Sequence, residues 1–196
     1  IEMNKVISII TVSYNSKETI EETIQSVINQ SSRNNTEYII IDGGSNDGTS
    51  RILEQYKDHI DITLIEKDKG IYDAMNKGAA ISKGDYIMFL NSDDILYSKN
   101  TIENIIKVIK NNNNDIQTLY GNIEYYKDFK SKPVRFWISG EFSKIKFYLG
   151  WHPPHPGLLV KRTVFAKLRG FNTKYRIASD YNFIFKMFKN PDLRSR

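Results

Sequence analysis

The chain contains no cysteine, which removes disulfide bonds, thiolate zinc sites and cysteine nucleophiles from the chemistry open to it. No apolar run approaches the ~20 residues that a membrane-spanning helix needs, and no basic-then-apolar leader opens the chain. The sequence also lacks both G-x-G-x-x-G and G-x-x-x-x-G-K-[ST], which disfavours a dinucleotide-binding fold and a P-loop. We therefore expect a protein of a reducing compartment, cytoplasmic or at most peripheral to a membrane.

Charge is divided unevenly along the chain. Residues 1–98 carry nine Lys/Arg against sixteen Asp/Glu, a balance of −7, and residues 99–196 carry nineteen against seven, a balance of +12. An acidic half suits a bound metal ion, and a basic half suits phosphates or an anionic lipid surface. Solubilising lysines on helix faces are the alternative explanation for most of these residues. Because the basic residues are dispersed and no recognition motif accompanies them, we expect no nucleic-acid partner.

The first half of the chain alternates short apolar runs with helical patterns. Strands are predicted at residues 6–12, 38–41, 62–65 and 86–90, and an amphipathic helix follows each of them. Four β-α units within about 110 residues predict a mostly parallel sheet flanked by helices on both faces. The 196 residues have room for one such domain, with a nucleotide-binding-like half at residues 1–98.

The second half, residues 99–196, is less regular and rich in aromatic residues. Its patterns predict a turn at residues 111–114, strands at residues 119–120, 134–137 and 157–160, and a final amphipathic helix that carries Phe183, Ile184, Met187 and Phe188.

Polar loops follow all four strands of the first half. In open α/β sheets, ligands bind beyond the carboxyl ends of the strands, so these loops are the candidate site. They comprise Ser13-Tyr14-Asn15, Asp42-Gly43-Gly44-Ser45, Glu66-Lys67-Asp68-Lys69-Gly70 and Asn91-Ser92-Asp93-Asp94.

Two adjacent carboxylates, Asp93 and Asp94, stand just beyond the fourth apolar run. Adjacent carboxylates repel each other, and a cation or a ligand hydroxyl relieves that repulsion. A divalent ion that bridges Asp94 and a diphosphate is one interpretation of the pair. Capping of a helical turn is the other.

Four motifs in this order resemble the family-2 inverting glycosyltransferases, whose nucleotide-sugar-binding fold is called GT-A. They are Ser13-Tyr14-Asn15, Asp42-Gly-Gly-Ser-Asn-Asp-Gly-Thr, Gly70-Ile-Tyr-Asp-Ala-Met-Asn-Lys-Gly78 and Asn91-Ser-Asp-Asp. The resemblance extends over residues 6–188. It implies a single GT-A domain that uses a nucleotide-sugar donor, and the bacterial surface-polysaccharide enzymes are its nearest type.

The resemblance also implies roles on the donor side. Val12 and Tyr14 match positions that line the nucleobase, and Asp42 matches the carboxylate that contacts the uracil imide. Asp68 and Lys69 lie where such enzymes approach the nucleotide.

For the acidic pair, the resemblance places Asp93 on the ribose and makes Asp94 the ligand of Mn²⁺ or Mg²⁺. Asp73, Asn76 and Gly78 match a motif that orients this region. Close helix packing for Gly78 and a solvated helix position for Asp73 are the alternatives.

A short histidine-containing segment precedes the strand predicted at residues 157–160, and in the family it borders the acceptor site. His155 is the preferred acceptor residue and Trp151 a second candidate. For His152, packing against Trp151 is as good an explanation. Pro153 and Pro154 prevent the helix that zinc binding by the two histidines would need.

The segment Ala178-Ser179-Asp180-Tyr181 opens the last predicted helix and matches the family's catalytic acidic motif, with Asp180 as the base. Helix capping by Ser179 or Asp180 is the alternative. Many relatives have Glu-Asp where this chain has Ser-Asp.

Two departures from the family limit the expected activity. The Gln-x-x-Arg-Trp motif of processive synthases is absent, so a complete chain would add one sugar per encounter. Relatives commonly continue beyond the last helix, so the acceptor-binding half at residues 99–196 is a natural short form or a truncated one.

We therefore expect a metal-dependent transferase that moves a sugar from a UDP-linked donor to a saccharide, free or lipid-linked, at the inner face of the plasma membrane. A catalytically inactive binding module of the same fold is the alternative. A sugar-phosphate nucleotidyltransferase is disfavoured, because its Gly-rich loop with arginine is absent after the first strand.

Overall fold

The computed structural model describes residues 5–127 and 131–190. Its strands are β1 (Ile7–Ser13), β2 (Thr36–Asp42), β3 (Ile62–Ile65), β4 (Tyr86–Asn91), β5 (Thr118–Tyr120), β6 (Ile123–Tyr125), β7 (Arg135–Trp137) and β8 (Leu158–Lys161). Six of them form one sheet in the order β3-β2-β1-β4-β8-β5, and β6 pairs with β7 in a separate ribbon. The strands β1 to β4 are mutually parallel, and β8 runs antiparallel to both of its neighbours. The predicted mostly parallel α/β sheet is confirmed.

Among the residues described, α-helices connect or cover these strands. They are α1 (Ile20–Ile28), α2 (Thr49–Gln55), α3 (Ile71–Ile81), α4 (Thr101–Asn111), α5 (Lys144–Tyr148), α6 (Arg162–Lys167) and α7 (Ser179–Lys189). Within the described ranges, none of these helices has the length and apolar character to span a bilayer.

The sheet separates two apolar cores, because successive side chains of a strand point to opposite faces. On one face, Ile10 and Val12 of β1 belong to a cluster with residues of α3, α6 and α7. On the other, Ile7 and Ile9 belong to a cluster with residues of α1, α2 and α4. All seven side chains of β1 and of β2 are buried, which explains why these strands are nearly continuous apolar runs.

Several short elements of the second half escaped prediction. β6 has three residues, α5 five and α6 six, too few to show a periodic pattern. The strands predicted at residues 134–137 and 157–160 are present as β7 and β8, each shifted by one residue at its start.

The register of β8 determines what lies near the site. Met88 pairs with Leu159 and Tyr86 with Lys161, so the beginning of β8 lies beside the carboxyl end of β4. The segment that precedes β8, which includes His155, is thereby brought to the edge of the sheet where the parallel strands end.

Candidate active site

The loops that follow β1, β2 and β4 are joined by hydrogen bonds into one surface. The Asn15 amide donates to Ser45 Oγ at 2.8 Å, and the Asn46 amide donates to Asn15 Oδ1 at 3.0 Å. The hydroxyls of Ser16 and Ser92 lie 2.8 Å apart, which connects the first loop to the fourth. The carboxyl edge of the sheet therefore presents a pre-formed surface on which a ligand can lie.

Asp42 organises this surface from within. Its side chain has no exposed area. One carboxylate oxygen accepts from Ser13 Oγ (2.8 Å) and Ser45 Oγ (2.6 Å), and the other from the amides of Gly44 (3.1 Å) and Ser45 (2.8 Å). Each oxygen thus receives two hydrogen bonds, which is its ordinary capacity. Contact with a uracil imide stays a prediction, and it requires one of these donors to be displaced.

Tyr14, Gly43 and Asp68 lie together at the outer side of this surface, and we call these three residues the nucleotide slot because they are candidates to contact the base. Tyr14 is 64% exposed, so the face of its ring is available for stacking. A Cβ atom at Gly43 would lie 2.6 Å from Asp68 Oδ2 and 3.3 Å from Tyr14 Cδ2. The absence of a side chain at Gly43 therefore allows the Asp68 carboxylate and the Tyr14 ring to pack against this loop.

The remaining nucleotide-side candidates differ in their exposure. Val12 is buried, and its side chain packs in the core beneath the loops. Lys69 is exposed, and its backbone amide donates to Asp73 Oδ2 at 3.0 Å. The ammonium group of Lys77 pairs with Glu66 at 2.7 Å and with Asp73 at 3.3 Å, which ties the loop after β3 to α3.

Two residues of α3 hold the helix in place. A Cβ atom at Gly78 would lie 2.5 Å from Ile10 Cγ2, so only glycine allows α3 to pack this close to β1. Asn76 binds the backbone of Phe171 through both ends of its amide. These contacts determine where the first turn of α3 meets the segment before α7.

Asp94 is half-buried at the end of β4, and Asp93 is exposed. The Asn91 amide donates to Asp94 Oδ2 at 2.9 Å, and the hydroxyl of Thr23 donates to the Asp94 carbonyl at 2.8 Å. Burial and the neighbouring charge of Asp93 raise the pKa of Asp94, while the Asn91 amide and His155 partly offset the rise. The next helix, α4, begins seven residues later at Thr101, so Asp94 caps no helix.

The residues around Asp94 fit a divalent cation. Asn91 Oδ1 is buried and has no hydrogen-bond partner within the described residues, although it lies on the amide that binds Asp94. Carbonyl and carboxylate oxygens are the ligands that Mg²⁺ and Mn²⁺ prefer, and a cation would relieve the repulsion between Asp93 and Asp94. The described residues contain no cluster of three His, Asp or Glu for a metal. Such an ion would therefore depend on substrate phosphates and water for its other ligands.

Asp180, in the first turn of α7, receives hydrogen bonds from two other elements. Tyr72 Oη of α3 donates to Asp180 Oδ1 at 2.7 Å, and His155 Nδ1 lies 3.0 Å from Asp180 Oδ2. Burial acts to raise the pKa of Asp180, but the hydrogen bonds from His155 and Tyr72 outweigh it and hold the pKa well below its usual range. The carboxylate of Asp180 therefore stays ionised at physiological pH.

His155 lies near both carboxylates that the sequence singled out. Its Nδ1 is 3.0 Å from Asp180 Oδ2, and the charge of a protonated His155 also acts on Asp94, although no salt bridge within 4 Å joins His155 to Asp94 in the described structure. The donor-side candidate and the candidate base are thus at one edge of the sheet, and the same imidazole is near both.

The other acceptor-side candidates belong to an aromatic cluster. The indole N–H of Trp151 donates to the Ser139 carbonyl at 2.8 Å, and its ring packs against Tyr120, Phe142 and Phe188. The ring of His152 packs edge-on against Trp137 and Tyr181 rather than against Trp151. The sugar-binding role of Trp151 stays a prediction.

Sequence reasoning missed Tyr72 and Asn91. Tyr72 stands beside Asp73 in the motif that opens α3, but its partner Asp180 is 108 residues away, and no local pattern joins them. Asn91 is the first residue of the acidic loop. That its side-chain oxygen is buried without a hydrogen-bond partner among the described residues can be recognised only from the folded structure.

Comparison with known proteins relates this arrangement to a family. The family described as "Glycosyl transferase family 2" matches residues 8–184. A PGL/p-HBAD biosynthesis glycosyltransferase of Mycobacterium bovis is 28% identical over 163 residues, which cover 82% of this chain and 61% of that protein. The putative teichuronic acid biosynthesis glycosyltransferase TuaG of Bacillus subtilis is 42% identical over 91 residues, 45% of this chain and 36% of TuaG.

Solved structures share the fold. A fragment of S. aureus TarS in complex with UDP-GlcNAc superposes with a TM-score of 0.73 at 20% identity, covering 91% of this chain and 52% of that one. The mannosyltransferase PcManGT from Pyrobaculum calidifontis, in complex with GDP-Man and Mn²⁺, gives 0.72 at 17% identity, covering 98% and 54%. The chain thus has the predicted GT-A architecture, and it spans about three fifths of the mycobacterial relative and about half of each structural neighbour. Because one family matches residues 8–184 and the fold agrees, this chain belongs to glycosyl transferase family 2.

Proposed function

We propose that this chain transfers a sugar, with inversion, from a nucleotide diphosphate donor to a glycan or lipid-linked saccharide in the synthesis of a cell-surface polysaccharide. The observation that carries the proposal is that Asp94 and Asp180 lie at one edge of the sheet, with His155 in contact with Asp180 and close enough for its charge to act on Asp94. Inverting transfer needs charge stabilisation at the leaving diphosphate and a proton acceptor on the opposite face of the sugar. Two carboxylates from separate parts of the chain, Asp94 for the diphosphate side and Asp180 for the acceptor side, match that requirement.

The donor side is assigned to the loops after β1, β2 and β4. Tyr14 stacks on the base, Asp42 orders the loop beneath it, and Asp93 meets the ribose. UDP is the proposed nucleotide because Asp42 and Tyr14 match uracil-binding positions of the family and the neighbour TarS binds UDP-GlcNAc. The neighbour PcManGT binds GDP-Man, so the fold alone does not select the base.

Asp94, with Asn91 Oδ1 beside it, is the proposed holder of Mn²⁺ or Mg²⁺. When bound, such an ion supplies positive charge that stabilises the departing diphosphate. Among the protein groups, Asp94 presents a half-buried carboxylate to that region, and the hydrogen bond from Asn91 fixes its orientation. The complex of PcManGT with Mn²⁺ supports this assignment by analogy of fold.

The acceptor side is assigned to the segment around His155 and to α7. The relatives named for PGL/p-HBAD biosynthesis and for putative teichuronic acid biosynthesis support a saccharide acceptor. A lipid-linked acceptor fits the exposed apolar residues at α5. Ile145 and Tyr148 of α5 and Leu149, which directly follows it, are 74%, 62% and 83% exposed, and Lys144 and Lys146 are exposed beside them. Apolar and basic residues in one place favour contact with an anionic membrane surface.

Calorimetry with UDP, with and without Mn²⁺, tests the donor assignment. We expect Asp94→Ala to abolish the Mn²⁺-dependent gain in affinity and Asp93→Ala to weaken it less, because a ribose hydroxyl is neutral. Equal UDP affinity in the parent and the Asp94 variant, both with Mn²⁺, would contradict the assignment. Tighter competition by GDP than by UDP would contradict the choice of uridine.

Release of UDP from UDP-N-acetylglucosamine tests whether the chain is an enzyme. We expect slow hydrolysis by the parent and a loss of about 100-fold or more in Asp180→Asn, which should still fold and bind UDP. Binding of nucleotide sugars without hydrolysis or transfer would identify an inactive binding module instead.

A further inference from the structure

We infer that α5, together with the C-terminal half of α7, docks on an anionic phospholipid bilayer. The inference rests on the proposed function and deepens it, because it names the partner that presents a lipid-linked acceptor to Asp180 and the residues that meet this partner. The docking surface consists of exposed side chains at α5 and on α7, namely Lys144, Ile145, Lys146, Tyr148, Leu149, Phe185 and Lys189.

Exposed apolar side chains are concentrated in the segment that contains α5. Within residues 5–127 and 131–190, nine large apolar side chains are at least 58% exposed, and six of these nine lie between positions 134 and 149. A single exposed apolar residue is ordinary on a protein surface, whereas a group of them marks an interaction site. These six are Val134, Phe136, Ile138, Ile145, Tyr148 and Leu149.

Helix α5 is apolar on both of its sides. Phe147 is 5% exposed and belongs to the core that also contains residues of α7. Ile145, Tyr148 and Leu149 are spaced i, i+3 and i+4, so they share one side of the helical turn, and this side is exposed. A helix that is apolar on its outer side as well needs a second apolar environment there.

The C-terminal half of α7 continues this surface. The ring of Phe185 stacks on Phe147 with the ring centroids 5.5 Å apart, and the ammonium group of Lys189 lies 5.9 Å from the centre of the Phe185 ring. Asp180 is in the first turn of the same helix. At 1.5 Å per residue, Phe185 stands only about 8 Å further along the helix axis than Asp180. A bilayer on the docking surface therefore holds a lipid-linked saccharide close to the candidate base.

Charge selects the partner for this surface. Residues 142–190 contain ten Lys/Arg against one Asp/Glu, which is Asp180, and Glu141 is exposed just before them. A second copy of this chain would bring the same lysines against each other, which is unfavourable. Nucleic acid carries the right charge but has no hydrocarbon to receive Ile145 and Leu149. An anionic bilayer supplies both negative headgroups for the lysines and hydrocarbon for the apolar side chains.

Flotation with lipid vesicles tests the surface without any nucleotide or acceptor. The parent is mixed with vesicles of phosphatidylcholine alone or with about one third phosphatidylglycerol. We expect at least about tenfold tighter binding to the anionic vesicles, and loss of this preference in about 1 M NaCl, where charges are screened beyond about 3 Å. Absence of binding to the anionic vesicles, or equal binding to both kinds, would overturn the inference.

Two double variants separate the apolar contribution from the charge. We expect Ile145→Gln with Leu149→Gln to bind anionic vesicles at least about tenfold more weakly than the parent, because the side chains that enter the hydrocarbon are lost. Lys144→Gln with Lys146→Gln should lose about tenfold in affinity for anionic vesicles and little for neutral ones. All four side chains are exposed, so the Tm of each variant should stay within about 2 °C of the parent.

Ile65→Gln with Val108→Gln is the matched control for the apolar variant. Ile65 is exposed on β3, at the opposite edge of the sheet from β5, and Val108 is exposed on α4, which packs on the other face of the sheet from α7. We expect this variant to bind vesicles like the parent. An equal loss of binding in the control and in the Ile145 and Leu149 variant would show that no particular surface is used and would overturn the inference.

The remaining outcomes distinguish this inference from its alternatives. A parent that light scattering shows to be a dimer, with an Ile145 and Leu149 variant that is monomeric and binds vesicles like the parent, would make the surface an interface between copies and overturn the inference. A parent that hydrolyses UDP-N-acetylglucosamine but binds no vesicles would overturn the inference alone. Vesicle binding by a chain that releases no UDP from this donor would support the docking surface and count against the proposed function.

Discussion

Asn76 and Phe171 exchange two hydrogen bonds across the structure. Asn76 Nδ2 donates to the Phe171 carbonyl at 2.8 Å, and the Phe171 amide donates to Asn76 Oδ1 at 2.9 Å. This pair joins α3 to the segment that leads into α7, 95 residues away in sequence. Tyr72 and Asp180 lie close to this junction, on α3 and at the start of α7, so their contact depends on it.

We expect Asn76→Ala to destabilise the fold by about 1–3 kcal/mol, because two backbone groups of Phe171 lose their partner in a partly buried place. Donor hydrolysis should fall as well, because Asp180 is no longer held against Tyr72. Urea unfolding and UDP release measure the two effects. Asn104→Ala, exposed on α4, is the matched control and should stay within about 0.5 kcal/mol of the parent. A stable Asn76 variant would show that other contacts suffice to fix α7.

Gly43 provides a test of the nucleotide slot that leaves the core untouched. In Gly43→Ala, the new methyl group would stand 2.6 Å from Asp68 Oδ2 and push this carboxylate and the Tyr14 ring apart. Both neighbours are side chains that can move, so we expect a change in unfolding free energy below about 1 kcal/mol but UDP affinity about tenfold lower.

Calorimetry with UDP and thermal unfolding separate the two effects of Gly43→Ala. Gly121→Ala is the control, because no atom lies within 4 Å of the place where its methyl group would stand and the residue is outside the slot. UDP affinity equal to that of the parent in Gly43→Ala would mean that the base binds elsewhere.

The first half of the fold was predictable because each of its elements is long enough to show its period. β1, β2 and β4 have six or seven residues and are almost wholly buried, so they appear as continuous apolar runs. The carboxyl ends of parallel strands meet at one edge, which is why the polar loops could be grouped from the sequence. The second half contains strands of only three residues, which are too short to show a period. Their pairing depends on packing and could not be predicted from local sequence.

For the candidate site, the sequence proposed residues but could not indicate the contacts between them. Asp94, Asp180 and His155 were named from motifs, yet nothing local indicates that His155 bonds Asp180. That contact depends on the antiparallel register of β8 against β4. Asp42 is a different case. Its position after β2 suggested a contact with a ligand, but in the folded loop its carboxylate already accepts four hydrogen bonds from the protein.

Asp47 should make stability depend on acid pH. The hydroxyl of Thr49, with help from the Lys17 and Thr49 amides, lowers the pKa of Asp47 from 3.8 to about 2, although burial acts in the opposite direction. A depressed carboxyl pKa adds stability that is present above the unfolded pKa and is lost as pH falls from about 4 to 2.

We therefore expect Asp47→Asn to be less stable than the parent at pH 6, with a difference that shrinks below pH 4. Urea unfolding at several pH values from 3 to 6 measures it. Asp58→Asn is the control, because this exposed carboxylate has no hydrogen bond in the part of the chain that the structure describes. Parallel pH curves for Asp47→Asn and the parent would mean that the carboxylate adds nothing beyond what an amide supplies.

We expect the carboxylate of Asp94 to lower the folding stability when no metal is bound and to contribute to metal binding. Burial and the charge of Asp93 raise its pKa, which means that the ionised carboxylate is disfavoured in the folded chain when no cation is bound. For an acid with a raised pKa, folding stability falls as pH rises through the interval between the unfolded and folded values, so the cost is fully present at pH 7.5.

Asp94→Asn keeps the shape and can still accept the hydrogen bond from the Asn91 amide, but it removes the charge. We expect a higher Tm than the parent at pH 7.5 in the presence of a chelator, together with loss of most of the gain in UDP affinity that Mn²⁺ gives the parent, at least tenfold. Asp93→Asn, at an exposed position, is the matched control: it relieves the same repulsion but should keep most of the metal effect. A lower Tm for Asp94→Asn without metal would show that the ionised carboxylate stabilises the loop after β4, because its stronger, charge-assisted hydrogen bond from Asn91 would then outweigh the burial of its charge.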